Sequence, residues 1–149
     1  KSKYLSYDEA VKLVKLKYNE DFTPENEKKL CEMFKDDIVF IHSWPISLKP
    51  FYILPKDKKL SKGFDALYGG IEISSGGQRV HIPEILIKQL KERNLNPKNF
   101  EFYINSFRHG APEHAGWSIG LERFTMALLK LDNIREAVLF PRDRERISP

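Results

Sequence analysis

The 149-residue chain is long enough for one domain, and 41% hydrophobic and 12% aromatic residues can build its core. No apolar run is long enough to span a bilayer and no signal-peptide pattern opens the chain, so we expect no membrane anchor. The single cysteine, Cys31, excludes an internal disulfide, and no zinc-type cysteine and histidine spacing is present. These features favour the reducing cytoplasm, and the net charge of +4 is mild.

The first half of the chain predicts two helices followed by two strands. Ser6 and Glu9 form a capping box that opens a helix in "LSYDEAVKLVKLK". In "FTPENEKKLCEMFK", Thr23 is the predicted N-cap of a second helix and Pro24 its first residue, with Cys31 in the core. The segments "DIVFIHSWP" and "PFYILP" are typical of short strands.

The second half predicts a hairpin and then three helices. The runs on either side of Gly69 and Gly70 in "GFDALYGGIEISSGGQRV" indicate two strands joined by a glycine turn. Helices are predicted in "PEILIKQLKERN", in "PKNFEFYINSFRHG" with Gly110 as its end, and in "WSIGLERFTMALLKL". Helices, then strands, then helices predict an α+β fold, an antiparallel β-sheet flanked by helices, with residues 1–149 forming one unit.

Lysines crowd the segment between residues 49 and 62, in which Asp57 is the only acid. The lysines are Lys49, Lys56, Lys58, Lys59 and Lys62. Such a cluster is most often a solvated loop, and the alternative is a surface that binds a polyanion.

The predicted hairpin brings two acids together. A turn at Gly69 and Gly70 places Leu67 opposite Glu72 and Asp65 opposite Ser74, so that Asp65 and Glu72 are diagonal neighbours on one face. Two close carboxylates repel each other unless a cation or a proton lies between them, and oxygen ligands suit magnesium with phosphate. The alternative is a pair of solvated acids on an edge hairpin.

Arg79 follows the same hairpin at a distance of seven residues from Glu72. In a regular strand the two side chains would point to opposite faces. A bulge or bend at Gly76 and Gly77 could return Arg79 to the carboxylate face, where it would bind a small anion. The alternative is a surface arginine after a loop.

Four residues of the last predicted helix share one stripe at helical spacing: Gly116, Gly120, Arg123 and Ala127. Arginine between small residues suits a flat ligand or a phosphate. A glycine inside a helix costs roughly 1 kcal/mol relative to alanine, so Gly120 requires a reason. Close packing against another element is the alternative to a ligand site.

Five blocks in this order resemble class II aminoacyl-tRNA synthetases, and among them aspartyl-tRNA synthetases of the archaeal and eukaryotic type. They are "KPFYILP", "FDALYGGIEISSGGQRVH", "FRHGAPEHAGW", "AGWSIGLERFTMALL", which resembles the third signature motif of the class, and "NIREAVLFPRDRERISP". The resemblance runs from about residue 5 to residue 149. It implies an aspartate–tRNA ligase that makes aspartyl-adenylate from aspartate and ATP and then transfers the aspartyl group to tRNA.

On the nucleotide side, the resemblance implies that Asp65 and Glu72 hold Mg²⁺ on ATP. Ser75 matches a serine near the metal and the α-phosphate, and Gly120 lies where a larger side chain would invade the nucleotide site. Arg123 matches the arginine that caps the adenine and reaches the γ-phosphate. Arg123 and Glu72 are therefore the expected catalytic residues.

On the amino-acid side, Arg79 matches the arginine that binds the aspartate side chain, while His114 and Gly116 match the loop that lines the pocket. Glu113 stands where relatives often have a second proline, and Ser118 where they often have glycine. Either departure could alter the pocket loop, but neither touches the main ligands.

Other parts of the family are not matched: the anticodon-binding domain, the first motif, which forms the homodimer, and the second motif, whose arginine binds the α-phosphate. We therefore expect the C-terminal part of a catalytic domain, inactive by itself, with the remaining N-terminal half as a partner. The alternatives are an asparaginyl-tRNA synthetase, a related asparagine synthetase, and a non-catalytic fragment that binds protein or RNA.

Overall fold

A five-stranded mixed sheet forms the centre of the molecule, for which a computed structural model describes residues 1–35 and 37–148. The strands lie side by side in chain order: β1 (Ser2–Ser6), β2 (Ile38–His42), β3 (Gly63–Tyr68), β4 (Ile71–Gln78) and β5 (Ala115–Ile119). Strands β2 to β5 are antiparallel, whereas β1 is parallel to β2. The α+β class is confirmed, but the purely antiparallel sheet was wrong at this edge.

The parallel edge strand results from the two helices that follow it. A chain leaving β1 crosses over through both helices before it returns as β2, and such a crossover produces a parallel pair. The five residues of β1 lie directly before the capping box. The sequence pattern there predicted the helix but not the short strand in front of it.

Within the described residues, five α-helices accompany the sheet: α1 (Tyr7–Val14), α2 (Pro24–Phe34), α3 (Pro83–Glu92), α4 (Glu101–Arg108) and α5 (Leu121–Leu129). Single 3₁₀ turns occupy Ile46–Leu48, Pro97–Phe100 and Ile134–Ala137. Both predicted N-caps are confirmed: the Ser6 hydroxyl accepts from the Glu9 amide, and the Thr23 hydroxyl accepts from the Asn26 amide. In the part of the chain that is described, no helix combines the length and the apolar character needed to cross a membrane.

Two apolar clusters stabilise the fold. Helices α1 and α2 pack on one end of the sheet, where Val39, Ile41, Leu67 and Trp44 are buried together with Cys31. The second cluster lies between α3 and α4 and consists of Val80, Leu86, Leu90 and Ile104, with aromatic rings around it. Cys31 is therefore a core residue, as the sequence indicates.

The segment "PFYILP" was predicted as a strand and is not one. It contributes only isolated bridges, from Ile53 to Arg79 and from Pro55 to Ser61. Proline lacks the amide hydrogen that a ladder requires, so Pro50 and Pro55 limit the pairing to a few bonds between them.

The predicted helix "WSIGLERFTMALLKL" was wrong in its first turn. Residues 115–119 form β5 at the sheet edge, and α5 begins only after Gly120, which is its N-cap with φ −72°. Gly116 is therefore a strand residue, and Gly120 is not inside a helix. Gly116 thus leaves the proposed stripe, whereas Arg123 and Ala127 lie on α5 and Gly120 precedes them as its N-cap, so the helical cost assigned to Gly120 does not apply.

Candidate active site

The hairpin of β3 and β4 contains a bulge that decides which side chains meet. Leu67 lies opposite Glu72, but the next pair is Ala66 with Ser74, so Ile73 is an extra residue in β4. Asp65 consequently faces Ser75, and the predicted pairing with Ser74 was wrong. The bulge lies at Ile73, not at the predicted Gly76 and Gly77.

The same bulge places Arg79 on the carboxylate face. Ser75 lies opposite Asp65, and Arg79 follows Ser75 by an even number of residues, so alternation gives both the same face. The Arg79 amide donates to the His114 carbonyl at 2.9 Å, and its backbone bridges to Ile53. The arginine is thus fixed at the backbone on both sides while its side chain stays exposed.

Three carboxylates gather at the hairpin: Asp65, Glu72 and Glu27, which comes from α2. The Glu27 carboxylate accepts a hydrogen bond from the Glu72 amide at 3.1 Å. Burial raises the pKa of Glu72, and the nearby charge of Asp65 raises it further. Burial is likewise the main cause that raises the pKa of Glu27 and the pKa of Asp65. The fold has therefore concentrated negative charge where water is scarce.

Lys49 partly neutralises this charge. Its ammonium forms an ion pair with Asp65 Oδ2, and only 13% and 4% of the two side chains are exposed. The attraction of Lys49 opposes the rise that burial causes in the pKa of Asp65. The other carboxylate oxygen, Asp65 Oδ1, is buried and has no hydrogen-bond partner among the residues that the structure describes.

A cavity of about 170 Å³ opens beside this ion pair. It is lined by Lys49, Pro50, Tyr52, Ile53, Asp65, Ser75, Gly76, Arg79, Gly116, Trp117 and Ser118. Pockets for drug-sized ligands typically measure roughly 300–1,000 Å³, so this one suits a smaller molecule. Two cationic side chains, Arg79 and Lys49, and one buried acid give it the means to orient a small zwitterion.

Gly116 is the residue that makes room for the Arg79 side chain. A Cβ atom at Gly116 would lie 2.6 Å from Arg79 Nη2 and 2.8 Å from Nε. Real side chains do not approach so closely, so only glycine allows the guanidinium to rest on β5 at this point. Gly116 thus makes room for the Arg79 side chain. In the sequence, only the family resemblance had placed these two residues in one site.

His114 lies at the end of the loop before β5. Its ring stacks on Phe107 with an interplanar angle of 11°, and Nδ1 lies 2.9 Å from the Pro112 carbonyl. Its own carbonyl accepts from the Arg79 amide. His114 therefore supports Arg79 through the backbone and does not line the cavity.

Arg123 projects from the first turn of α5 toward the hairpin. Its guanidinium Nη1 donates to the Glu72 carbonyl at 3.2 Å, while the side chain remains exposed. Its positive charge lowers the pKa values of Glu72 and Glu27 against the larger effect of burial. A Cβ at Gly120 would meet only the Arg123 stem, at 3.6 Å. The structure thus brings Gly120 and Arg123 to the Glu72 end of the site.

The acidic pair has the chemistry of a divalent cation site. Asp65 Oδ1 is a buried oxygen without a partner, and Glu72 is close enough for its pKa to respond to the Asp65 charge. No group of three or more histidine, cysteine or acidic residues with metal-binding geometry occurs among the residues described. Two neighbouring carboxylates suit Mg²⁺, which keeps water and takes phosphate oxygens.

Two residues of this site were missed at the sequence level. Lys49 was counted with the lysine cluster, although its burial separates it from the exposed Lys56, Lys58 and Lys59. The feature of the sequence that could have indicated a buried Lys49 is its position directly before Pro50 and an apolar segment. Glu27 was read only as part of α2, and its contact with Glu72 spans 45 positions of the chain.

Known proteins resemble this chain over nearly its whole length. The family model described as tRNA synthetases class II (D, K and N) matches residues 2–144. The chain is 48% identical over 97% of its length to an aspartate–tRNA(Asp/Asn) ligase of Methanothermobacter thermautotrophicus, of which it covers 35%. It is 46% identical to an aspartate–tRNA(Asp) ligase of Thermoplasma volcanium, again over 97% of the chain and 35% of the relative.

Solved structures give the same result. The aspartyl-tRNA synthetase of Entamoeba histolytica superposes with a TM-score of 0.92 at 39% identity, over 99% of this chain and 33% of that one. The asparaginyl-tRNA synthetase of Pyrococcus horikoshii also has a TM-score of 0.92, at 31% identity, over 99% and 37% of the two chains. The chain spans about a third of the length of these relatives. Since the family model covers nearly all of it, the chain belongs to the class II tRNA synthetases of the D, K and N group.

Proposed function

We propose that this chain is part of an aspartate–tRNA ligase that activates aspartate with ATP and transfers it to tRNA. The observation that carries the proposal is the Arg79 guanidinium, which rests on Gly116 at the wall of a small cavity containing Asp65 and Ser75. The names of the most similar curated relatives support it. As these relatives are about three times longer, the activity belongs to the larger protein.

Arg79 supplies the specificity for a side-chain carboxylate. A guanidinium donates two parallel hydrogen bonds to a carboxylate and matches an amide poorly, since one of the two acceptors becomes a donor. His114 holds the Arg79 backbone through its carbonyl, and Gly116 leaves room for the Arg79 side chain. This arrangement favours aspartate over asparagine.

The nucleotide is proposed to bind at the other end of the site. Asp65 Oδ1 and Glu72 would hold Mg²⁺, which supplies charge neutralisation for the phosphates when it is bound. Ser75 lies between Asp65 and Ser118 in the sheet and offers a hydroxyl to the same region. Arg123, with Gly120 leaving space beside it, would bind the adenine and the terminal phosphate.

The reaction requires positioning more than a protein nucleophile. An oxygen of the aspartate α-carboxylate bonds to the α-phosphorus of ATP, and the bond from that phosphorus to the pyrophosphate oxygen breaks. A terminal ribose hydroxyl of tRNA then attacks the aspartyl carbonyl and releases AMP. Arg79 orients the amino acid in both steps, and Arg123 and Glu72 orient the nucleotide in the first.

The remaining parts of the proposal concern the surroundings of the site. The partners are tRNA, the rest of the synthetase and a second copy of it in a homodimer, and the location is the cytoplasm. The asparaginyl-tRNA synthetase of Pyrococcus horikoshii superposes equally well, so the proposal of aspartate rests on Arg79.

The test is a hybrid enzyme. Residues 1–149 replace the matching third of the Methanothermobacter thermautotrophicus ligase, and ATP–pyrophosphate exchange is measured with aspartate and with asparagine. We expect exchange with aspartate in the hybrid and none from the 149-residue chain by itself. Exchange with asparagine alone would overturn the substrate assignment. A folded hybrid without any exchange would support the alternative of a non-catalytic fragment.

A further inference from the structure

Lys49 occupies an unusual position for a lysine. Its ammonium is bonded to Asp65 Oδ2 and lies 4.0 Å from the centre of the Trp44 ring, which places it between an acid and an aromatic face. Lysines are rarely buried unless they are paired. This one therefore holds a specific place in the cavity wall, in contrast to the exposed lysines that follow it in the chain.

The surrounding structure keeps Lys49 there. The guanidinium of Arg93, the C-cap residue of α3, donates to the Lys49 carbonyl at 3.0 Å and to the Ile46 carbonyl at 2.8 Å. The Lys49 stem packs on Gly63, where a Cβ atom would lie 3.3 Å from Lys49 Cγ. The backbone and the stem of Lys49 thus direct its ammonium toward Asp65.

This arrangement divides the two oxygens of Asp65 between two tasks. Lys49 takes Oδ2 and orients the carboxylate, and Oδ1 stays buried without a partner. A divalent cation that binds Oδ1 must share one carboxylate with the ammonium. Two cations on one buried carboxylate repel each other strongly, because little water is present to screen them.

The charge balance decides what can bind. Asp65 and Glu72 provide two negative charges, and Lys49 removes one of them next to the metal position. A free divalent cation then meets one net negative charge on its own ligands. A cation that arrives on phosphate brings further negative charge with it, and Lys49 attracts that charge while it repels the metal.

We propose that Lys49 is a specificity-determining residue that makes the Asp65 and Glu72 site select a divalent cation bound to phosphate over the free cation. The inference rests on the metal assignment made under the proposed function. It goes further because it assigns a role to the Lys49 ammonium. This charge would limit metal binding at Asp65 and Glu72 when no nucleotide is present.

The experiment measures Mn²⁺ binding to the folded 149-residue chain by electron paramagnetic resonance of free Mn²⁺, with and without ATP. Lys49→Gln removes the charge but keeps a hydrogen-bond donor for Asp65 Oδ2. We expect free Mn²⁺ to bind this variant about tenfold more tightly or better, since one repelling unit charge is lost at close range. We also expect ATP to improve Mn²⁺ binding less in the variant than in the wild type.

Two matched variants separate charge from structure. Lys49→Arg keeps the charge and should keep free Mn²⁺ binding as weak as in the wild type. Lys62→Gln removes one exposed lysine, whose ammonium contacts the Gln78 amide at 2.8 Å, and should have no effect. If Lys49→Gln does not fold by circular dichroism, Lys49→Met takes its place, because its apolar chain preserves the packing on Trp44.

Unchanged or weaker binding of free Mn²⁺ by the neutral Lys49 variant would overturn the inference. Asp65→Asn in the Lys49→Gln background separates this failure from failure of the proposed metal site. If Asp65→Asn leaves Mn²⁺ binding intact, the ion does not use Asp65, and the metal assignment fails together with the inference. If Asp65→Asn abolishes binding while Lys49→Gln alone has no effect, only the role of Lys49 is refuted.

Discussion

Individual carboxylates at the site destabilise the fold, although the same carboxylates are the proposed ligand-binding groups. Glu27, Asp65 and Glu72 all have pKa values raised mainly by burial. When folding raises the pKa of a carboxyl group, the group stabilises the fold at pH values below the pKa of the unfolded chain. This stabilisation is lost as the pH rises through the pKa of the folded state. At neutral pH the three groups therefore reduce the free energy of unfolding.

Glu27→Gln should reveal this cost. Glutamine keeps an acceptor for the Glu72 amide and removes the charge, so the variant should be more stable than the wild type at pH 7.5 by on the order of 0.5 kcal/mol, a small value because Glu27 is partly exposed and screened. The gain should shrink toward pH 4, where the wild-type carboxyl is protonated. Urea unfolding at several pH values measures it, with Glu32→Gln on the exposed face of α2 as the control. A gain that is equal at all pH values would contradict the explanation.

Arg79 is the residue whose chemistry defines the proposed substrate. In the hybrid enzyme, Arg79→Ala should raise the KM for aspartate about 30-fold or more, because the loss of a desolvated charge pair costs on the order of 2–5 kcal/mol. The KM for ATP should change little. Arg79→Lys should also be poor, since lysine lacks the planar pair of donors. Steady-state exchange kinetics measure both constants, and equal increases would argue against a dedicated carboxylate contact.

At the level of elements, the pairing of β4 with the edge strand β5 depends on glycines that serve different purposes. Gly77 and Gly116 face each other in the register. A Cβ at Gly77 would lie 2.6 Å from the Lys62 carbonyl oxygen and 2.9 Å from the Gly63 Cα, which are both backbone atoms. A Cβ at Gly116 would meet the guanidinium of Arg79, the end of a flexible side chain.

The two alanine variants should therefore fail in different ways. Gly77→Ala should lower the free energy of unfolding by about 1–3 kcal/mol, the usual cost of overpacking. Gly116→Ala should cost less than about 1 kcal/mol, because Arg79 can move and alanine reduces the entropy of the unfolded chain. In the hybrid enzyme, however, Gly116→Ala should raise the KM for aspartate. Urea unfolding and exchange kinetics give both readings, and a large stability loss in Gly116→Ala would show that its role is structural.

At the level of the whole molecule, the described chain leaves a large apolar surface uncovered. Helix α5 contains no buried residue, and Leu129 is 62% exposed. Leu139 and Ile147, in the segment after it, are 85% and 78% exposed, and Trp117 on β5 is 65% exposed. Exposed large apolar side chains of this kind are typical of an interface when they form one patch.

We predict that the 149-residue chain self-associates through this surface. Size-exclusion chromatography with light scattering should show a mass that increases with protein concentration. Leu129→Gln with Leu139→Gln should reduce the association, whereas Phe102→Gln, which removes an exposed ring on α4, should not. A monomer at every concentration would contradict the prediction.

Local sequence determined much of this protein. The capping box of Ser6 and Glu9, the Thr23 cap and the glycine turn at Gly69 and Gly70 each depend on neighbours within a few residues, so their elements could be predicted. The residues Asp65, Glu72 and Arg79 could also be selected, because their spacing on one hairpin is local.

Tertiary structure decided what the local pattern left open. The parallel strand β1 exists only because β2 lies beside it, and "WSI" is a strand because β4 offers an edge, although its residues continue a helical pattern. The bulge at Ile73 moved Asp65 from Ser74 to Ser75 and brought Arg79 to its face. Lys49 and Glu27 joined the site from 16 and 45 positions away from their partners. Contacts at such separations depend on how whole elements pack, and periodicity within one element carries no information about that packing.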